Sequence, residues 1–87
     1  MIAYLLYNRD SPGQRAVEDL ARRLERERVE VELVDADSAR GAQLAENYDV
    51  LGRPAVVLIT ADGTPLQIWQ GEDGLPALSD ITYLAHQ

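Results

Sequence analysis

The 87-residue sequence contains no cysteine, no lysine and no phenylalanine, and it has a single histidine. Without a thiol, the chain cannot form a disulfide, a thiolate nucleophile, a zinc–thiolate site or a redox dithiol. The one histidine, His86, leaves almost nothing for a histidine-based catalytic or metal site. We therefore expect no catalytic residues, no metal ion and no cofactor.

Positive charge is also scarce, because eight arginines face fifteen acidic residues and the formal net charge is −7. A general nucleic-acid binder needs a basic face, and docking on anionic lipid needs one too, so neither partner is expected. The apolar N-terminal stretch Met1–Tyr7 lacks the basic start and the length of a signal peptide, and no apolar run approaches the ~20 residues of a membrane span. These absences predict a cytoplasmic protein.

Length and composition predict one domain, residues 1–87, and apolar periodicity predicts the element order β-α-β-α-β-β-α. Two β-α-β halves, the second ending in a hairpin at Asp62-Gly63, require a four-stranded mixed sheet flanked by helices, so the expected fold class is α/β. The outward Glu30 and Glu32 are typical of an edge strand. The predicted strands are Ile2–Tyr7, Val29–Leu33, Pro54–Thr60 and Leu66–Trp69. The predicted helices run from Pro12 to Arg28, from a Ser38 cap with Ala42, Ala45 and Tyr48 inward, and from Pro76 through Leu78, Ile81 and Ala85.

The start of the first helix carries a complete capping signal. Ser11 is a favoured N-cap residue, Pro12 suits the first helical position, and Gln14 completes an S-x-x-Q capping box. A helix start also presents free N–H groups to an anion, so a cap at Ser11 and a ligand-facing Ser11 are compatible.

The segment Tyr48-Asp-Val-Leu-Gly-Arg-Pro54-Ala-Val-Val-Leu-Ile-Thr-Ala-Asp-Gly63 is similar to a thioredoxin stretch. There, a Tyr-x-Ile/Val-x-Gly-x-Pro segment precedes a buried strand and an x-x-Gly hairpin. Together with the element order, it makes the whole chain resemble the thioredoxin-like superfamily in its minimal, glutaredoxin-sized form. The resemblance implies a cis peptide bond before Pro54, facing the start of the first helix.

At that helix start the chain has Ser11-Pro12-Gly13-Gln14 where a glutaredoxin has Cys-Pro-x-Cys, so disulfide oxidoreductase activity is excluded. The first hypothesis is a non-enzymatic module that binds an extended peptide or protein by backbone pairing beside Pro54, with steering by Arg53. Arg53 as an anion-binding residue and as an ordinary solvated one are both open, and Arg9 could add to the same positive spot. Cysteine-free members of the fold include the KaiB family, whose first helix start is loosely similar to residues 12–16. The predicted groove comprises Ser11, Pro12, Gly13, Gln14, Arg53 and Pro54.

Two alternatives remain open beside peptide binding. Gly71 and Asp73 are partly similar to the Gly-Gly-x-Asp segment with which glutaredoxins hold glutathione, which implies a site for glutathione or another anionic small molecule. Trp69 is expected to pack under the last helix, whereas an exposed Trp69 would mark an edge for a homodimer. Monomer and homodimer are both allowed. Asp35 and Asp37 could ligate a hard cation, although such a pair after a strand is more typical of loop solvation.

Overall fold

The computed structural model describes residues 1–70 and 75–86 and has the predicted element order. The longest of the described helices has 13 residues, and none in these two ranges has the length and apolarity needed to cross a bilayer. The strands are β1 (Ile2–Tyr7), β2 (Glu30–Asp35), β3 (Ala55–Ile59) and β4 (Pro65–Gln70), and the helices are α1 (Gln14–Arg26), α2 (Ala39–Asn47) and α3 (Leu78–Ala85).

The four strands form one mixed sheet in the order β2-β1-β3-β4. β1 and β2 are parallel neighbours, as predicted for a βαβ unit, while β3 is antiparallel to both β1 and β4. β2 is an edge strand, as its exposed Glu30 indicated. The register places Leu6 and Gln70 on either side of Ala55, so the start of β3 lies beside the end of β4.

Helices cover both faces of the sheet because β1 and β3 are apolar on both sides. All five residues of β3 are buried, which confirms the prediction of a central strand. On one face α1 and α3 pack around Ala3, Leu5, Val17, Leu20, Ala21, Leu24, Val29, Val56, Leu58 and Ile81. On the other face α2 packs through Leu44 and Ala45 on Leu6, Val34, Val50, Ala55, Val57 and Ile59.

Two helices are shorter than predicted. α1 ends at Arg26, and Arg28 takes a left-handed φ of 64° that turns the chain into β2. α3 begins at Leu78, two residues after Pro76, because Ala77 is an extended N-cap whose N–H donates to Asp80 Oδ2 at 3.1 Å.

Two predictions for β2 and α2 differ from the structure, while the predicted cap of α2 is present. Ser38 caps α2 as predicted and accepts a 3.0 Å hydrogen bond from the Gly41 N–H. The inward position in the first turn is Gly41, which is buried, so the prediction of an inward Ala42 is wrong. On β2 the predicted alternation fails at Leu33, which is 41% exposed.

Candidate functional site

Four chain segments meet at one end of the sheet. β1 and β2 are parallel and end there, β3 starts there, and β4 returns to the same end at Gln70. The connections after β1 and β2 therefore lie beside the loop before β3, as parallel and antiparallel pairing requires. The predicted groove residues fall on two of these connections.

The Arg53–Pro54 peptide bond is cis, and its proline faces the start of α1. A Cβ built on Gly13 would lie 3.8 Å from Pro54 Cγ, an ordinary van der Waals distance. The helix start at Gly13 and the loop at Pro54 therefore lie within contact range. The two segments that make up the predicted groove, residues 11–14 and 53–54, are thus next to each other.

The predicted capping box at Ser11 does not form. Gly13 is the N-cap, and the Ser11 hydroxyl instead donates to the Asn8 carbonyl at 2.6 Å. Gln14 reaches back one residue further than predicted, since its Oε1 accepts from the Asp10 N–H at 2.6 Å. Asp10 has a left-handed φ of 58°, which folds residues 8–11 into a turn before the helix begins. The Ser11 hydroxyl is therefore engaged by the turn after β1 and does not cap the helix.

Gln70 organises the loop before Pro54, although its role was not evident from the sequence. Its Oε1 accepts hydrogen bonds from the backbone N–H groups of Leu51, at 2.6 Å, and Gly52, at 2.9 Å. Val50, just upstream, is buried, and its N–H donates to the Ala45 carbonyl at 2.8 Å. The loop is thus fastened to β4 and to α2 before it reaches the cis-proline.

The two arginines at the groove are each paired with a carboxylate at or just beyond the end of β2. Arg9 Nε lies 3.7 Å from Asp35 Oδ2, and an Arg53 guanidinium nitrogen donates to Asp37 Oδ1 at 3.3 Å. Asp35 Oδ1 also accepts from the Asp37 N–H at 2.9 Å, which fixes the two acids relative to each other. Two positive and two negative charges therefore offset one another here, and Arg9 and Arg53 each lie beside a carboxylate.

Asp35 and Asp37 do not form part of a larger acidic cluster. Within the described ranges, no three histidine, cysteine, aspartate or glutamate side chains are grouped as metal ligands would be. The two carboxylates instead pair with Arg9 and Arg53, and these ion pairs were not predicted from the sequence.

Trp69 is half-buried and packs against the α1–α3 face of the core, as expected for a residue under the last helix. It also borders a pocket of about 470 Å³ shared with Gln70, Leu75 and Pro76. The remaining weaker candidates, Gly71 and Asp73, lie outside the described residues.

No protein-family model matches the sequence, and a search of curated proteins found no significant match. Solved structures do match. A structure described as that of a malarial protein superposes with a TM-score of 0.72 at 18% identity, over 98% of this chain and 92% of that one. Thioredoxin 1 from the thermophilic eubacterium Thermosipho africanus superposes with a TM-score of 0.62 at 10% identity, over 99% of this chain and 91% of that one.

At these identities the likeness shows the fold alone. The chain has a thioredoxin-like fold: a four-stranded mixed sheet between helices, in the order β-α-β-α-β-β-α. It is a cysteine-free example, with Ser11 in the turn before the first long helix and Gln14 as the first residue of that helix.

Proposed function

We propose that this protein is a redox-inactive binding module that holds an extended segment of a protein partner in a groove formed where the start of α1 meets the loop before β3. The observation that carries the proposal is the approach of Gly13 to Pro54. It keeps two stretches of backbone facing each other in a chain that has no thiol for disulfide chemistry.

The backbone of Arg53 is the natural pairing point for such a segment. The N–H of the preceding residue, Gly52, is already bonded to Gln70, and Ala55 is part of β3. Among residues 1–70 and 75–86, neither the N–H nor the carbonyl of Arg53 has a hydrogen-bond partner. Extended peptides commonly bind by adding main-chain hydrogen bonds to such a segment.

Charge favours a peptide backbone over an anion such as glutathione. Arg53 would have to leave Asp37, and Arg9 would have to leave Asp35, before either could neutralise a ligand carboxylate. Backbone pairing requires no such exchange, because the main-chain groups of the loop carry no net charge. The glutathione alternative is therefore tested beside the peptide and is not favoured.

Binding can be tested with peptides selected from a random library on the wild-type protein. Gly13→Leu places a side chain against Pro54 at a position whose φ of −83° any residue adopts. Ala16→Leu adds the same side chain to an exposed position one turn later and serves as the matched control. We expect Gly13→Leu to raise the Kd about tenfold or more and Ala16→Leu to change it less than about twofold. Equal binding by both variants contradicts the proposal.

A second pair of variants separates steering by Arg53 from general electrostatics. Arg53→Glu and Arg22→Glu each reverse one charge and break one exposed ion pair with an aspartate. Arg22, however, lies about 13 Å along α1 from Gly13 and therefore away from the groove. We expect only Arg53→Glu to weaken the selected peptides. Millimolar glutathione should leave the Tm unchanged, whereas a Tm increase that Arg53→Glu abolishes would establish the anion site instead.

A further inference from the structure

Leu51 is the most exposed large hydrophobic side chain in the described ranges, at 93%. Tyr83 follows at 69%, and Leu33, Leu66 and Met1 lie near 40%. A single exposed leucine is ordinary on a protein surface and needs no explanation by itself. The environment of Leu51 is what sets it apart, since its backbone is fastened while its side chain is in water.

The backbone around Leu51 is held on both sides. Its own N–H and that of Gly52 donate to Gln70 Oε1, and the preceding Val50 is only 8% exposed. Two residues beyond Gly52, Pro54 lies at contact range of Gly13. Groups fixed in this way lose little conformational entropy when a partner covers them, which favours their use as binding anchors.

We infer that Leu51 is the apolar anchor of the peptide site, an assignment that rests on the function proposed above. A bound segment that pairs with the backbone of Arg53 passes Leu51 two residues away and covers it with a large apolar side chain. The occupant is thus an extended peptide that carries a bulky aliphatic or aromatic residue at one fixed position next to the pairing residue.

A second copy of this chain fits Leu51 less well than a peptide does. Each chain has a formal charge of −7, so association of two copies brings like charges together. The Arg53–Asp37 pair beside Leu51 is internally compensated and offers no unpaired charge to a second copy.

The test uses the peptides selected on the wild-type protein. Leu51→Ala removes the anchor, and Leu66→Ala is the matched control, because Leu66 is exposed to 40% near the start of β4, at the opposite end of that strand from Gln70. We expect Leu51→Ala to raise the Kd about tenfold and Leu66→Ala less than about twofold. Selected peptides should share a large apolar residue, and replacing it with alanine should weaken binding to wild type but not weaken binding to Leu51→Ala further. Unfolding in urea should show Leu51→Ala to be as stable as wild type, since a side chain that is 93% exposed buries almost no apolar area in the folded protein.

The outcomes distinguish the two proposals. If Gly13→Leu loses binding while Leu51→Ala binds as wild type does, the proposed groove stands and the assignment of Leu51 as its anchor is overturned. Unchanged binding in both variants, or no peptide selected at all, contradicts the groove and the anchor together. A wild-type mass near twice 9.6 kDa by light scattering that returns to monomer in Leu51→Ala would replace the peptide with a second copy and overturn the inference.

Discussion

The side chain of Gln70 accepts a 2.6 Å hydrogen bond from the backbone N–H of Leu51, nineteen residues away in the sequence. The same oxygen accepts from Gly52 at 2.9 Å, so one amide group ties the end of β4 to the loop that carries the cis-proline. Among residues 1–70 and 75–86, Gln70 supplies the protein acceptor for both N–H groups, in a loop that belongs to neither a helix nor a strand. Gln70 is therefore a positioning residue for the proposed groove.

Substitution of Gln70 should loosen this loop. Gln70→Ala removes both acceptor contacts, and we expect the free energy of unfolding to fall by about 1–2 kcal/mol. Gln70→Glu keeps an acceptor oxygen and should retain most of the wild-type stability. Amide hydrogen exchange measured by NMR should show loss of protection at Leu51 and Gly52 in Gln70→Ala only. Unchanged protection at both amides in Gln70→Ala contradicts the role assigned to Gln70.

Gly41 is required by the close approach of α2 to the end of β2. A Cβ at Gly41 would overlap the carbonyl oxygen of Asp35 and lie 2.9 Å from the Cα of Ala36, and both neighbours are backbone atoms that cannot rotate away. Helix propensity alone would make Gly41→Ala stabilising by about 1 kcal/mol. Steric overlap of this kind costs about 1–3 kcal/mol, so we expect a net loss of stability.

Urea unfolding of Gly41→Ala and of Gln43→Ala, an exposed position two residues later on the same helix, checks the sign. Gln43→Ala should stay within about 0.5 kcal/mol of wild type. A stabilised Gly41→Ala would show that α2 does not approach Asp35 as closely as described.

The order of the strands and helices could be predicted from the sequence because the patterns that determine them are local. The run from Ala55 to Ile59 is apolar at every position, and Ser38 lies three residues before the N–H that it caps. The prediction at Ser11 failed although its pattern was equally complete. The left-handed turn at Asp10 redirects both side chains, and an S-x-x-Q spacing does not report such a turn.

Gln70 was missed because its position depends on strand register. If β3 and β4 paired regularly outward from the turn that joins Thr60 and Thr64, Trp69 would lie opposite Ala55. The irregularity between Leu58 and Ile59 shifts the pairing by one residue, so Gln70 lies opposite Ala55 instead. A one-residue shift exchanges the two faces of a strand. The partners of Arg9 and Arg53 were missed for a similar reason, since sheet pairing brings Asp35 and Asp37 beside them.

The hairpin turn should be sensitive to acid. Hydrogen bonds from the Thr60 hydroxyl, and then from Thr64, hold the pKa of Asp62 below its usual value. Because the folded-state pKa is depressed, this contribution to stability is present above the unfolded-state pKa, at about pH 4, and is lost as the pH falls through the folded-state pKa. NMR titration of the Asp62 carboxyl should show this low midpoint, and Thr60→Val should raise it. Equal midpoints in the two proteins contradict the assigned cause.

The end of α1 offers a stabilising substitution. The N–H of Val29 donates to the Leu24 carbonyl and that of Arg28 donates to the Glu25 carbonyl, each at 3.0 Å, which is the Schellman pattern of helix termination. The left-handed position is occupied by Arg28, with φ 64°, where glycine is the residue that avoids the Cβ strain.

We expect Arg28→Gly to raise the free energy of unfolding by about 0.5–1 kcal/mol, because relief of the left-handed strain exceeds the added flexibility of the unfolded chain. Arg26→Gly, in the last helical turn, should lower it by about 1 kcal/mol, since glycine is unfavourable where φ is helical. Both variants remove one exposed arginine near the same helix end, so loss of charge affects them alike. Urea unfolding at neutral pH measures both, and shifts of the same sign would contradict the left-handed geometry at Arg28.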